Sequence, residues 1–477
     1  MSALRDGITA FADFLVAMVF AAVPVAGVEV NLIVLWLFAG MVFFTIWLGF
    51  VNVRGFGKAF AALRGKYMTA NSPGEMTPFQ ALSTALSGTV GLGNIAGVAI
   101  AISMGGPGAA LWMVVIGFFA MSLKCAEVTM AVRYRKQRAD GTVSGGPMWY
   151  LSMGLAERGL PRIGRVLAYV YAFAALFAVL QILQVNQSYS QVSTVLGLEQ
   201  DQSWGFAYGT AIALLTATVL LGGARWVAAA TSRITPFMCA LYLLSTVAVL
   251  AANASLIDDA IAMIFASAFS PEAATGGIIG AFVAGMRRAV YSNEAGVGTA
   301  TMAHAMVKTD APASEGYVAL IEPFIDTIVI CSATALMIVV TGVWDDGYDD
   351  IAMTSAAFGT VGSWFPSLLA ICVVLFAFST ILAGGFYGQK VCDFLFGDRR
   401  WAHLLYLFVF CVSLPLGAIA DVGAVINIVD SFFFLLTVPN LIGLYLLRGF
   451  VRREMTLFSR YERPADDPSA LGERQGM

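Results

Sequence analysis

Apolar runs of about 20 residues recur along this chain, and that is the length a helix needs to cross ~30 Å of hydrocarbon. LIVLWLFAGMVFFTIWLGF (32–50) is an example. With 59% hydrophobic and 12% charged residues and a mean hydropathy of +0.80, 477 residues carry too little polar surface for a water-soluble globule. A membrane barrel would show strands of about 10 residues in strict alternation, and the runs show none. The fold class is therefore an all-α polytopic membrane protein.

The runs predict about 11 transmembrane helices: 30–50, 79–103, 109–131, 164–196, 205–223, 234–252, 276–303, 317–342, 364–387, 401–420 and 426–447. Five spans (79–252) and five more (276–447) flank a link at 253–275, with 1–78 before them and a tail at 448–477. Residues 8–23 are apolar but short, carry Asp13 and run into Pro24. They read as an interfacial or re-entrant piece, or else as a cleaved signal, although Arg5 beside Asp6 is a weak basic start for one.

Basic residues set the orientation. Links after the odd-numbered spans hold Arg54, Lys58, Arg133, Arg135, Arg225, Lys308, Lys390 and others, and the tail adds Arg448, Arg452 and Arg453. Links after the even-numbered spans hold no Lys or Arg, though they carry Asp258, Asp259, Asp345, Asp349 and Asp421. Basic loops stay cytoplasmic, so the N-terminus is expected outside and the C-terminus inside a plasma (inner) membrane. The net charge of −3 is sorted across the bilayer and argues for no nucleic-acid partner. The six cysteines lie in or beside spans or on the cytoplasmic side, and no disulfide is expected.

SGTVGLGNIA (87–96) interrupts the second span with three glycines in six residues. Shifted by 205 positions it falls on SNEAGVGTAT (292–301), so that Ser87 meets Ser292, Gly91 meets Gly296 and Gly93 meets Gly298. Five spans separate the copies, and an odd separation turns the second one over: an inverted repeat with discontinuous helices 2 and 7. Glycines at that density disfavour a continuous helix, and freed amides and carbonyls cannot face lipid. They are expected to line a polar cavity, together with Ser87, Thr89, Asn94, Ser292, Asn293 and Thr299. Close helix packing by small residues is the competing explanation.

Hard cations such as Na⁺ want several oxygens, which unwound carbonyls and hydroxyls supply. Ser379 and Thr380 are adjacent hydroxyls in LFAFSTILAGG; as lone hydroxyls they could instead bond back to their own helix. The polar stretch LQILQVNQSYSQ (180–191) offers Gln184 and Asn186, with Gln181 or Gln187, to a ligand's polar head, or as glue between helices. Ionisable residues inside spans are costly, and Lys124, Glu127, Arg287, Arg288, Glu294, Glu322, Asp326 and Asp430 should pair. Glu294 and Asp326 are the candidates for coupling carboxylates, one in the break and one on a neighbouring span. His304 and His403 lack metal-ligand spacing, and no nucleophile stands with a base, so neither a metal beyond sodium, nor a cofactor, nor an enzyme is expected.

FTIWLGFVNVRGFGKAF (44–60), SGTVGLGNIAGVAIAISMGGPGAALWM (87–113), KCAEVTMAVRYR (124–135), DGTVSGGPMWY (140–150), YSNEAGVGTA (291–300), IDTIVICSATA (325–335) and PNLIGL (439–444) occur in order along nearly the whole chain. They resemble the alanine or glycine:cation symporter family, and VGLGN (90–94) also resembles the broken first core helix of neurotransmitter:sodium symporters, whose architecture is the LeuT-type five-plus-five inverted repeat. The resemblance implies Na⁺-coupled uptake of small neutral amino acids by alternating access, with sodium a co-transported ligand. It implies a sodium site of the carbonyls of Ser87, Val90 and Phe376 with the hydroxyls of Ser379 and Thr380. It places Thr89 and Asn94 near a second cation or the substrate carboxylate, and gives Gln184 to the substrate. Where the family reads TILGWYYYGEK this chain has TILAGGFYGQK, so Gly384 replaces a pocket tryptophan and Gln389 a glutamate. A roomier pocket, accepting more than alanine or glycine, is the resulting expectation, unless Phe386 or Tyr387 fills the space. A proton-coupled carrier of the same fold is the nearest alternative, and a channel or sensor a more distant one.

Overall fold

The computed structural model describes residues 2–25, 28–69, 71–138, 141–198, 201–270, 277–348, 350–397, 399–420 and 423–461. Asp349, Asp421, residues 271–276 of the 253–275 link and tail residues 462–477 lie outside them. Among the described residues eight helices are long and apolar enough to cross a membrane, and a ninth span forms if Pro78–Thr89 and Leu92–Gly105, bent by 62° at their junction, count as one. Of the other runs, 30–50 forms the shorter helix Leu32–Trp47, and 276–303 forms Gly277–Asn293, a non-helical stretch and the turn Thr301–His304.

The outer surface is apolar. Leu214, Leu244 and Phe408 are each more than 60% exposed, as lipid-facing side chains are. The interior is the polar part, holding Lys124, Glu127, Asn94, Asp326, His304 and Glu322 at 0% exposure. All six cysteines are free thiols.

Several helices differ from their expected outlines. The span expected at 164–196 is two helices, Pro161–Ala178 and Ile182–Leu196, parted at 179–181. Phe324–Cys331 widens the span Pro312–Thr341 into a π-helix, and such insertions accompany functional sites. Two links hold helices too short to cross, Ile257–Ala268 and Asp350–Gly359. Of residues 8–23, 8–19 belong to the helix Ser2–Val19, which packs on Gly423–Leu435, and the run ends in a hairpin pairing Val23 with Val30.

Close helix contact depends on particular glycines. At Gly316 a Cβ would stand 2.0 Å from Thr129 Oγ1 and 2.9 Å from the Cys125 carbonyl, so Pro312–Val318 lies directly on Gly108–Arg133. Gly316→Val should cost roughly 1–3 kcal/mol through overpacking. Thermal unfolding in detergent should show a lower midpoint than wild type, and an unchanged midpoint would remove this contact from the stabilising set.

Candidate functional site

Thr77 starts the first broken helix with a reciprocal cap: its hydroxyl accepts from Gln80 N at 3.2 Å and its N–H donates to Gln80 Oε1 at 3.0 Å, with Pro78 at the first helical position. The helix ends at Thr89, and a 3₁₀ turn, Leu92–Asn94, precedes Ala96–Gly105. Asn94 stabilises the break by accepting from Gly91 N at 2.9 Å. Gly91 is required by proximity, since a Cβ there would lie 2.7 Å from Thr380 Oγ1.

That contact brings the helix Phe365–Phe396 against the break. Ser379 Oγ donates to the Phe376 carbonyl at 2.9 Å and lies 3.4 Å from the Ser87 carbonyl, while Thr380 Oγ1 donates to Phe376 O at 3.0 Å. Two carbonyls and two hydroxyls thus converge, all on buried residues. Val90 is buried at the helix end, and its N–H donates to Leu86 O at 2.7 Å. The Ser87 hydroxyl turns back to Thr84 O, leaving its carbonyl as the oxygen nearest Ser379.

Beside this cluster lies a cavity of about 50 Å³. Thr89, Gly91, Gly93, Gln184, Glu294 and Thr380 reach it, and so do Gln181, Tyr291, Tyr387, Asp430 and Phe433. Gln184 Oε1 and the Tyr387 hydroxyl are buried without a hydrogen-bond partner, so polar capacity points into the space unspent. Tyr291 and Phe433 meet at 5.4 Å between ring centroids on one wall. Gly384 is not part of the lining: a Cβ on it would stand 2.5 Å from Gln181 Nε2 and 2.8 Å from the Val179 carbonyl. Gln181, at the parting of 164–196, takes the space against Gly384, and Tyr387 lines the cavity itself.

A second cluster joins the two breaks. Asn94 Nδ2 lies 2.6 Å from Asp326 Oδ1 and 3.0 Å from Ser292 Oγ, and Ser292 Oγ donates to Asp326 Oδ2 at 2.8 Å. Thr327 donates to the same carboxylate at 2.7 Å and accepts from Asn293 Nδ2 at 3.1 Å. Asn293 Oδ1 in turn accepts from Ala295 N at 2.9 Å. Asp326 is therefore bonded to both broken segments.

The second break takes left-handed backbone at Glu294 (φ 54°), Gly296 (φ 87°) and Gly298 (φ 86°). For Glu294 this costs about 1–2 kcal/mol, a strain found where surrounding bonds over-determine a conformation. Those bonds are visible. Glu127 Oε1 accepts from Gly296 N at 3.0 Å and from Asn440 Nδ2 at 2.6 Å; Asn440 Nδ2 also donates to Gly296 O, and Tyr171 OH to Val297 O at 2.9 Å. Thr299 donates to Glu294 and Tyr150 to Asn440. Nearby, Lys124 pairs with Glu322 at 3.0 Å, and His304 bridges Glu322 at 3.2 Å and Glu315 at 2.7 Å.

Of the expected cation ligands Thr380 is the one among the described lining residues of the cavity; Ser379 and Thr380 both bond back to the Phe376 carbonyl of their own helix, and Asn94, Ser292 and Asn293 enter the Asp326 network rather than the cavity lining. Tyr291 and Phe433 are not among the expected site residues, their sequence signal being aromatic residues beside the second break and on a later span, whereas Tyr387 is expected only as an alternative filler of the space at Gly384. Gln389 lies outside the cavity, its amide 3.4 Å from Leu220 O.

A family model described as "Sodium:alanine symporter family" matches residues 14–470. The chain belongs to that family. The "Sodium/alanine symporter AgcS" of Methanococcus maripaludis is 38% identical over 88% of this chain and 93% of that protein. From Bacillus subtilis, the "Probable sodium/glutamine symporter GlnT" is 31% identical (92% and 89% covered) and the "Putative sodium/proton-dependent alanine carrier protein YrbD" 32% (92% and 93%). Among solved structures, MhsT with L-phenylalanine aligns at 13% identity and TM-score 0.50 over 82% of this chain and 91% of that one. A manganese transporter of Eremococcus coleocola, in a point-mutant form, aligns at 12% and 0.54 over 86% and 95%. These two likenesses show the LeuT-type fold alone. As a sodium:alanine symporter family member the chain is a multi-pass membrane transporter and not an enzyme, and family membership implies sodium and an amino acid as its cargo.

Removing one partner of the fully buried Lys124–Glu322 pair should destabilise this symporter family member by about 3–5 kcal/mol, because a charge is left uncompensated in a dry interior. Lys124→Met should fold poorly, and Lys124→Met with Glu322→Leu should recover much of the loss. Unfolding midpoints of both variants check this; a double variant no better than the single would show that the pair does not act as a unit.

Proposed function

We propose that the chain couples Na⁺ entry to the uptake of small neutral amino acids by alternating access about the two broken helices, which correspond to each other in a five-plus-five inverted repeat. The observation that carries the reading is the convergence of Ser87 O, Phe376 O and the Ser379 and Thr380 hydroxyls beside a cavity that the glycines of the break also line. Four oxygens and the Val90 carbonyl suit a hard monovalent cation, and neutral ligands let it leave again. The substrate carboxylate meets backbone amides at Gly91 and Gly93, where a half-helix begins, and Gln184 adds a side-chain bond. The ammonium group lies toward Glu294 and Asp430, the carboxylates among the described lining residues. In this reading the N-terminus is outside and the C-terminus cytoplasmic in the plasma (inner) membrane, as the basic links require.

Uptake by proteoliposomes, with Na⁺ exchanged for K⁺ or Li⁺ and a panel of amino acids, tests the reading. Thr380→Ala should raise the Na⁺ concentration for half-maximal uptake several-fold, and unchanged Na⁺ dependence would remove this cation site. The alternative coupling ion is a proton, favoured by Asp326, whose carboxylate touches hydroxyls and an amide but no cation. Full uptake driven by a proton gradient without Na⁺ would select it.

Size selection follows from Gln181. Its side chain takes the room opposite Gly384, so the cavity favours alanine-sized ligands despite the missing indole. Gln181→Ala should admit larger neutral amino acids, read as new competition by methionine or leucine. Gln184→Ala should instead weaken every substrate by roughly 1–3 kcal/mol, about 5- to 150-fold. Wild-type specificity in the first variant, or wild-type affinity in the second, would place that side chain outside the substrate's reach.

A further inference from the structure

Where the helix Leu32–Trp47 ends, Gly49 and Phe50 take left-handed backbone at φ 62° and 57°. They turn the chain into Val51–Arg54 and Phe56–Leu63, and the Arg54 guanidinium folds back so that a Cβ on Gly49 would stand 2.5 Å from it. The last turns of Thr437–Tyr461 run beside this elbow, and a cavity of about 600 Å³ lies between them. Arg54, Lys58 and Arg452 line it from three separate helices, and among the described residues its lining contains no Asp or Glu. Aromatic faces support two of the cations: Arg452 stands 5.3 Å from the Trp47 ring centroid and Lys58 5.3 Å from that of Tyr317. Apolar surface adjoins the elbow, with Ile46 63% and Val53 59% exposed.

The rule that basic residues stay cytoplasmic explains the sign of these charges but not their convergence on one cavity. Arg54 and Arg452 bring like charges to a common space and repel, and an anion between them relieves the repulsion. Basic pockets beside membrane helices on the cytoplasmic side face a leaflet that carries anionic lipid. We propose that this cavity holds the headgroup of an anionic phospholipid, its phosphodiester between Arg54 and Arg452 and its acyl chains along Ile46 and Val53. The leaflet follows from the orientation given under Proposed function; the binding is read without transport and stands or falls separately. The lipid acts on the transporter through Leu32–Trp47, because Leu37 of that helix seats the second break: a Cβ on Gly296 would stand 2.4 Å from Leu37 Cδ2.

The test is thermal unfolding of the purified full chain in neutral detergent with added phosphatidylglycerol, phosphatidylcholine or inorganic phosphate, together with native mass spectrometry of retained lipid. Phosphatidylglycerol should raise the midpoint by several degrees and remain bound, while phosphatidylcholine and phosphate should do neither. Arg452→Gln and Arg54→Gln should each lose half or more of that shift, Arg452→Lys should restore part of it, and Arg453→Gln, exposed and outside the cavity, should keep all of it. Equal shifts in wild type and Arg452→Gln would overturn the site, and phosphate alone reproducing the shift would overturn the lipid. If the double variant Arg54→Gln with Arg452→Gln fails to fold, the retained-lipid count of Arg452→Gln against wild type still decides. Neutralising Glu462, Asp466 and Asp467 tests the chain's own acidic tail: a loss of lipid-free stability there, matched in Arg452→Gln, would make the tail the occupant and overturn the proposal.

Discussion

A peptide group released from a helix inside hydrocarbon has no water to bond to, and leaving it bare costs several kcal/mol. The breaks at 90–95 and 294–300 release peptide groups, and much of the buried polar chemistry answers to them. Asn94 takes Gly91 N, Glu127 takes Gly296 N, and Tyr171 and Asn440 donate to the carbonyls of Val297 and Gly296. What these groups leave unbonded can be offered to a ligand, so the cavity beside Gly91 and Gln184 is polar without carrying a fixed cation in its lining.

The two breaks are built differently. The first lacks left-handed residues and is opened by contact, with Gly91 against Thr380 and Gly88 against the Tyr387 hydroxyl. The second is bent by left-handed residues at 294, 296 and 298 and pinned by a carboxylate from another span. Strain at Glu294 persists because Glu127, Asn440 and Tyr150 hold the loop from outside, and Lys124 with Glu322 and His304 supplies the charge balance that lets acids sit there.

How much of this is legible in the sequence depends on how local each cause is. Glycine clusters flanked by hydroxyls announce both breaks, because the helix penalty of Gly and the intolerance of lipid for free peptides act within a few residues. The adjacent hydroxyls Ser379 and Thr380 stand out as polar residues in an otherwise apolar run of a continuous helix. The parting at 179–181 is silent: AVLQIL has neither Gly nor Pro, and only the seating of Gln181 against Gly384 shows why the helix opens there. Glu127 with Asn440 is a bond across 313 residues, which no pattern along one helix records. Ile257–Ala268 escapes a search for spans because it is too short to cross, although its helical character is plain once it is looked for.

Asp326 is where the two breaks become one system. Asn94 bonds at once to Gly91 of the first break, to Ser292 at the edge of the second and to Asp326, while Thr327 carries the same carboxylate's contacts on to Asn293 and Ala295. A ligand that draws the Gly91 amide away from Asn94 leaves the Asn94 side-chain carbonyl short of a donor, and the side chain can regain bonds only by turning relative to Asp326 and Ser292. Linkage then runs both ways: whatever changes the carboxylate's partners changes the first break's readiness to accept a ligand by the same free energy. The π-helical widening at Phe324–Cys331 places Asp326 on the one part of its span whose hydrogen-bond register is already irregular.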